Sequence, residues 1–190
     1  MRQDIYRFRN LGDQKRSIIA RVIIASYHNW DFELIKLWRA DDNKKPYIPS
    51  TLNFNISHSG NFVVVAFSID PIGIDIEEVR TMGFESIATS FTSEEQAFLR
   101  NRNFNKTDFY KMWVKKEAYL KATGVGIVKG LDSVNVLGDC VADKVSDWHF
   151  IECPIADGYI CFVCSYSNNR TISIEPLSTT IPLPIYSGNY

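Results

Sequence analysis

Asp75 and Glu77 stand two residues apart in the segment GIDIEEV, Gly73 to Val79, among small or apolar neighbours. Alternation along a strand sends both carboxylates to one face and Glu78 to the other. Two acids held side by side repel unless a cation lies between them. Oxygen donors so placed suit Mg2+, which accepts one or two carboxylates and fills its shell with water and phosphate oxygens. A solvated face on an edge strand carries the same D-x-E triplet, so spacing alone leaves both readings open. A second anomaly lies in WVKKEAYLK, Trp113 to Lys121. On a helical wheel Phe109, Trp113 and Leu120 form an apolar stripe flanked by Met112, and Lys116 falls in its middle. A buried ammonium is costly unless paired, so Lys116 either lays its stem along the apolar surface or meets a fixed anion. Glu117 and Lys121, four apart, share the edge of that stripe, where they can face one cleft or form a surface ion pair.

The third segment is FNISHSG, Phe54 to Gly60. Adjacent Ser and His rarely serve one another as nucleophile and base, and no G-x-S-x-G elbow is present, which argues against a hydrolase triad. Small hydroxyls, an imidazole and a glycine at a strand end suit phosphate binding, or else a turn with one satisfied histidine.

These residues need elements to hold them. Asp13 to His28 spaces Ile18, Ile19, Val22 and Ile23 as an amphipathic helix. Asp41 to Ser50, with two prolines and a charge cluster, reads as a loop. Strands are expected at 53–57, 62–69 and 73–79, the last two joined as a hairpin through Asp70 and Pro71. Thr92 and Glu95 stand at capping-box spacing before a helix, and Thr107 and Asp108 open another that stops near Gly124. Residues 134–174 read mostly as strand, and the proline-rich end as an extended tail.

The composition sets outer bounds. A chain of 190 residues, 45% apolar, fills one core or two small lobes that share an interface. Its 21 basic and 22 acidic residues leave a net charge of -1, which argues against nucleic acid as a partner. The run IIARVIIA is short and broken by Arg21, so no membrane span is expected and the cytoplasm is the expected compartment. Cys161 and Cys164 form a C-x-x-C inside YICFVCSY, where strand geometry sends them to opposite faces as buried thiols.

Taken in order, FNISHSG, GIDIEEV, FTSEE and WVKKEAYLKATGVG resemble the 4'-phosphopantetheinyl transferases, of the larger type that activates peptide and polyketide synthases. The strongest parts are G-[IV]-D-[IVL]-E at Gly73 to Glu77 and W-x-x-K-E-[SA]-x-x-K at Trp113 to Lys121. The resemblance implies transfer of the phosphopantetheine arm of coenzyme A to a serine of an apo acyl or peptidyl carrier protein, with release of adenosine 3',5'-bisphosphate. It implies Mg2+ held by Asp75, Glu77 and Glu117, with Lys121 and Lys116 near the diphosphate. Glu117 is then the first choice of base, and Glu95 matches an acid near the metal while also fitting a helix cap. His58 and Ser57 match contacts to the 3'-phosphate of coenzyme A, and Lys45 and Arg16 match positions near the nucleotide. The implied fold is α+β, two similar α/β lobes with the site between them. Residues 1–70 would form a first lobe that is N-terminally shortened, 71–172 a second lobe carrying the metal, and 173–190 a tail. A monomer is expected, and Arg100, Arg102, Lys106 and Lys111 are candidates for steering an acidic carrier protein. The alternatives are a coenzyme A or nucleotide binder without catalysis, and a Mg2+-dependent phosphohydrolase that uses the same carboxylates with water.

Overall fold

The computed structural model describes residues 13–29, 31–40, 45–49, 52–81, 83–125, 130–142, 147–166 and 173. The expected tail after Ser173 lies outside them. Helix α1 (Asp13–Tyr27) takes the amphipathic segment, and a short α2 (Phe32–Lys36) is capped by the Asp31 side chain. Strands β1 (Arg39–Ala40) and β2 (Pro46–Tyr47) pair briefly.

Strands β3 (Asn53–Ser59) and β4 (Phe62–Ser68) form an antiparallel hairpin from Asn53↔Ser68 to Ser59↔Phe62. Gly60, at φ 51°, supplies the positive φ that a two-residue Gly-X hairpin loop requires. Val63, Val65 and Phe67 of β4 pack with Ala20, Ile23 and Ile24 of α1. Val64 and Ala66 bury on the opposite side with Ile72, Ile74 and Ile76. Burial on both faces explains why the β4 sequence is continuously apolar rather than alternating.

Strand β5 (Ile72–Glu78) begins the second sheet, completed by β6 (Cys140–Ala142), β7 (Asp147–Glu152) and β8 (Tyr159–Ser165) in the order β5-β8-β7-β6. All its neighbours are antiparallel. The hairpin expected between 62–69 and 73–79 does not form. Strand β4 folds back on β3, and β5 pairs with β8 from Ile72↔Ser165 to Glu78↔Tyr159. The reason is burial: the apolar faces of β4 and β5 share a core cluster, so Asp70 and Pro71 carry the chain between sheets instead of turning it within one.

Helix α3 (Phe84–Ala88) is a short addition to the expected elements, whereas α4 (Ser93–Asn101) starts with the expected capping box of Thr92 and Glu95. Helix α5 (Lys106–Thr123) is capped by Asn105, whose side chain accepts from Thr107 N and Asp108 N, and ends at Gly124 in the left-handed conformation. It covers one face of the second sheet through Phe109, Met112, Leu120, Trp148, Phe150 and Phe162. A β-carbon at Gly73 would fall well inside contact distance of the Ala118 carbonyl and the Ala122 amide. Glycine there lets the backbone of α5 lie directly on β5, which brings the acids of one within reach of the other. Among the described residues no helix is long and apolar enough to cross a membrane.

Candidate functional site

Gly73, Asp75 and Glu77 share the face of β5 turned toward α5, and α5 turns Trp113, Glu117 and Lys121 back toward it, one helical turn apart. A cavity of about 250 Å3 opens there, lined by Asp75, Glu77, Trp113, Glu117 and Lys121, with Ile56, Ser57 and His58 from β3. Six predicted residues, Ser57, His58, Asp75, Glu77, Glu117 and Lys121, thus converge from segments far apart in sequence.

A ladder of side chains joins β3 to the edge of β5. Asn55 Oδ1 accepts from Ile74 N at 2.9 Å, Ser57 Oγ from Ile76 N at 3.4 Å and Ser59 Oγ from Glu78 N at 3.0 Å. The two serines also donate to the acids, Ser57 to Asp75 Oδ1 and Ser59 to Glu77 Oε2, each at 2.7 Å. Hydroxyls at every second residue therefore do two jobs: they satisfy edge amides that would otherwise be orphaned, and they aim the carboxylates. Lys121 Nζ completes the group, reaching Asp75 Oδ1 at 2.6 Å and Ser57 Oγ at 3.0 Å. Replacing Ser59 by alanine should leave a carboxylate oxygen and an amide without their partner. The expected loss is about 1–2 kcal/mol in equilibrium urea unfolding, with the Ser59→Thr variant close to wild type. Equal losses in both variants would mean that packing, not the hydroxyl, matters.

The electrostatics are unbalanced. Asp75 Oδ2 and Glu117 Oε1 are buried with no hydrogen-bond partner among the described residues. Burial, reinforced by the negative charge of Asp75 and then Glu77 and opposed by Lys121, pushes the Glu117 carboxyl up to about 7. Burial also raises Glu77, although hydrogen bonds from Ser59 and Trp113 and the charge of Lys121 pull the other way. Buried, orphaned carboxylate oxygens facing one cavity fit a hard divalent cation. They do not form a closed cage on their own. Among the described residues the donor set with three ligand atoms within 4.8 Å of one another is Cys140, Asp147 and His149, not the three acids. Lys121 already neutralises one oxygen of Asp75.

Glu117 therefore links stability to pH. Its carboxyl is raised above the ordinary 4.5 to about 7, so its contribution is fully present below pH 4.5 and is lost as pH rises through 7. The loss amounts to about 3 kcal/mol by pH 8. In chelator, wild type minus Glu117→Gln unfolding free energy should fall between pH 5 and 8, and Mg2+ should restore stability more at pH 8 than at pH 5. A difference that is flat across this range would refute the burial of an uncompensated acid.

Two predicted catalytic residues lie elsewhere. Lys116 and Glu95 are each 0% exposed and pair with one another at 2.7 Å. Lys116 Nζ also donates to the carbonyls of Leu131 and Val134 and sits 5.0 Å from the Phe91 ring. Glu95 Oε2 accepts from Thr92 N at 2.9 Å and Oε1 from Val136 N at 2.8 Å. Of the two alternatives Lys116 takes the fixed anion, which is the helix-capping glutamate, and the pair ties α4, α5 and the segment after the 3-10 turn (Leu131–Ser133) together. Neither residue lines the carboxylate cavity.

Of the expected nucleotide contacts, His58 is exposed at the cavity wall and Ser57 is buried beneath it. Lys45 stands outside, lining an adjacent cavity of about 450 Å3 with Pro46, Tyr47, Phe54 and Thr123. Its Nζ donates to the Lys121 carbonyl at 2.6 Å, in the last turn of α5, where carbonyls attract a cation. Arg16 belongs to α1, with its side chain outside the described ones. Arg102 pairs with Asp108 and Lys111 with Glu152, so two of the basic residues considered for docking hold acids of this chain. Ser59 and Trp113 were not singled out as site residues. Ser59 had one local signal, the N-x-S-x-S alternation of β3.

An α+β chain that gathers three acids and a lysine on one cavity has the make-up of a protein that handles a cation together with an anionic ligand. Residues 71–164 match the model of the 4'-phosphopantetheinyl transferase superfamily, and residues 1–70 match that of the N-terminal part of 4'-phosphopantetheinyl transferase. The chain is 30% identical over 188 residues to the 4'-phosphopantetheinyl transferase gsp of Aneurinibacillus migulanus, covering 92% of this chain and 79% of that one. It is 34% identical over 142 residues to the 4'-phosphopantetheinyl transferase Sfp of Bacillus subtilis (strain 168), covering 71% and 63%. A relative in Mus musculus, L-aminoadipate-semialdehyde dehydrogenase-phosphopantetheinyl transferase, is 32% identical over 129 residues, covering 58% and 41%. The chain belongs to the 4'-phosphopantetheinyl transferase superfamily. It spans 63% of the length of each of two Bacillus subtilis relatives, those named ffp and Sfp.

Proposed function

We propose that this protein transfers the 4'-phosphopantetheine arm of coenzyme A to a serine hydroxyl of an apo acyl or peptidyl carrier protein, in a Mg2+-dependent reaction that releases adenosine 3',5'-bisphosphate. The observation that carries the reading is the pair of buried, unpartnered oxygens, Asp75 Oδ2 and Glu117 Oε1, in one cavity with Glu77 and Lys121. The names of its relatives support the same reaction class. Mg2+ held by Asp75, Glu77 and Glu117 would supply charge neutralisation for the diphosphate.

The remaining work falls to the chain itself. Lys121 brings a positive charge to the same cavity and favours the departing bisphosphate. Serine oxygen attacks phosphorus on the pantetheine side of the diphosphate, the bridging P–O bond breaks, and the serine proton must leave. Glu117, whose carboxylate lines the same cavity, is the residue placed to accept that proton directly or through water. The adjacent cavity, with Lys45 in its lining, offers room for the nucleotide end, and we assign His58, on the wall of the carboxylate cavity, to the 3'-phosphate. We assign residues 1–70 and 71–172 to two similar lobes of a cytoplasmic monomer, and the ladder from β3 to β5 would then be the seam between them.

Incubating the protein with coenzyme A, Mg2+ and an apo carrier protein should add the mass of one phosphopantetheine to the carrier, and Asp75→Asn should abolish the gain. No shift with any of several carriers would overturn the proposal. Calorimetric binding of coenzyme A without transfer would identify a non-catalytic binder. Bisphosphate release in the absence of carrier would identify a phosphohydrolase.

A further inference from the structure

Cys140, Asp147 and His149 lie at the far edge of the second sheet, on β6 and β7. The register places Cys140 directly opposite His149, and Ala142 opposite Asp147. Residues two apart share a face, so all three side chains leave the sheet on the same side. That side is opposite the one carrying Trp148 and Phe150, which are buried against α5. It is therefore both the other face and the other edge from Asp75, Glu77 and Glu117.

Three observations together point to a metal site. One ligand atom from each residue, a thiol sulfur, a carboxylate oxygen and an imidazole nitrogen, lies within 4.8 Å of the other two. The strands that carry them are held: Phe150 N donates to Asp139 O at 2.9 Å, and Lys115 Nζ donates from α5 to Gly138 O and Asp139 Oδ1, both at 2.9 Å. Cys140 and Asp147 are exposed and His149 is half-buried, so a cation can reach the group from solvent and keep a fourth position for water.

We propose that Cys140, Asp147 and His149 bind a borderline-soft divalent cation of the Zn2+ class, at a site separate from the carboxylate cavity. One sulfur, one nitrogen and one oxygen ligand with an open fourth position match the tetrahedral preference of Zn2+. Mg2+ favours oxygen ligands alone and does not compete for a thiolate. Bridging β6 and β7 side by side, the ion fastens the outermost hairpin of the sheet. The inference stands independently of the transferase reading.

The test titrates the full chain with Co2+ as a spectroscopic probe and with Zn2+ by calorimetry, in the presence of excess Mg2+. One equivalent of Co2+ should bind with a thiolate-to-metal charge-transfer band. Cys140→Ser should remove that band, and Cys140→Ser and His149→Ala should each weaken Zn2+ by more than the roughly 10–100-fold that loss of an outer-shell partner costs. Asp147→Asn should weaken it by at least about tenfold, and Asp75→Asn should leave it unchanged. Because Cys153, Cys161 and Cys164 are buried, alkylation reports on Cys140, and Zn2+ should slow it in the wild type but not in His149→Ala. Absence of the band, an affinity indifferent to Cys140→Ser, or binding lost in Asp75→Asn instead would each overturn the site.

Discussion

Replacing Lys116 by methionine should destabilise the protein by about 3–5 kcal/mol, the cost of leaving one member of a buried ion pair alone. Glu95 would remain fully buried with two backbone donors and no counter-charge, and the carbonyls of Leu131 and Val134 would lose theirs. Against a total stability of about 5–15 kcal/mol for a typical domain, such a loss shifts the unfolding midpoint decisively. Glu95→Gln combined with Lys116→Met should recover part of it, because the buried charge is gone while the amide nitrogen cannot accept from one of the two backbone amides. A double-mutant cycle should therefore show strong coupling. The folded fraction of either variant should bind Mg2+ as the wild type does, since neither residue touches the carboxylate cavity. A loss under about 1 kcal/mol in urea unfolding, or Mg2+ binding lost from protein that remains folded, would tie Lys116 to the carboxylate cavity instead.

The second large effect is expected at Gly73. Alanine there sets a methyl group against backbone atoms of α5, the Ala118 carbonyl and the Ala122 amide, which cannot rotate aside as a side chain would. Helix α5 must lift off β5, at a cost of about 3 kcal/mol, the upper end for overpacking. The consequence extends beyond stability because α5 carries Glu117 and Lys121. Lifting it separates Lys121 Nζ from Asp75 Oδ1, now 2.6 Å away, and widens the gap between the acids. Gly83 is the control: its φ is 68° but nothing lies within 4 Å of an added β-carbon, so alanine there should cost only about 1–2 kcal/mol of backbone strain. Equilibrium unfolding and Mg2+ calorimetry on both variants decide the matter. If Gly73→Ala proves no worse than Gly83→Ala, the close approach of helix and strand is not what aligns the site.

The resulting picture assigns different work to residues that look alike in sequence. Lys115, Lys116 and Lys121 lie within two turns of one helix. Lys115 holds the start of β6 through Asp139, Lys116 closes a buried knot with Glu95, and Lys121 faces the carboxylates. Direction around the helix separates them, and each finds an anion of a different origin.

Residue order alone was enough for whatever depends on backbone period or near neighbours. Asp75 and Glu77 had to share a face, Thr92 and Glu95 stood at capping-box spacing, Gly124 marked the end of α5, and Lys116 in its apolar stripe needed either an escape for its amine or a fixed anion. Each follows from the geometry of a single strand or helix, whatever surrounds it. The order of residues could not say which anion Lys116 would find, that β5 would pair with β8 rather than β4, or that Ser59 would hold Glu77. Those outcomes were settled when apolar faces competed for burial across the whole chain, and the winning arrangement determined which polar groups were left side by side.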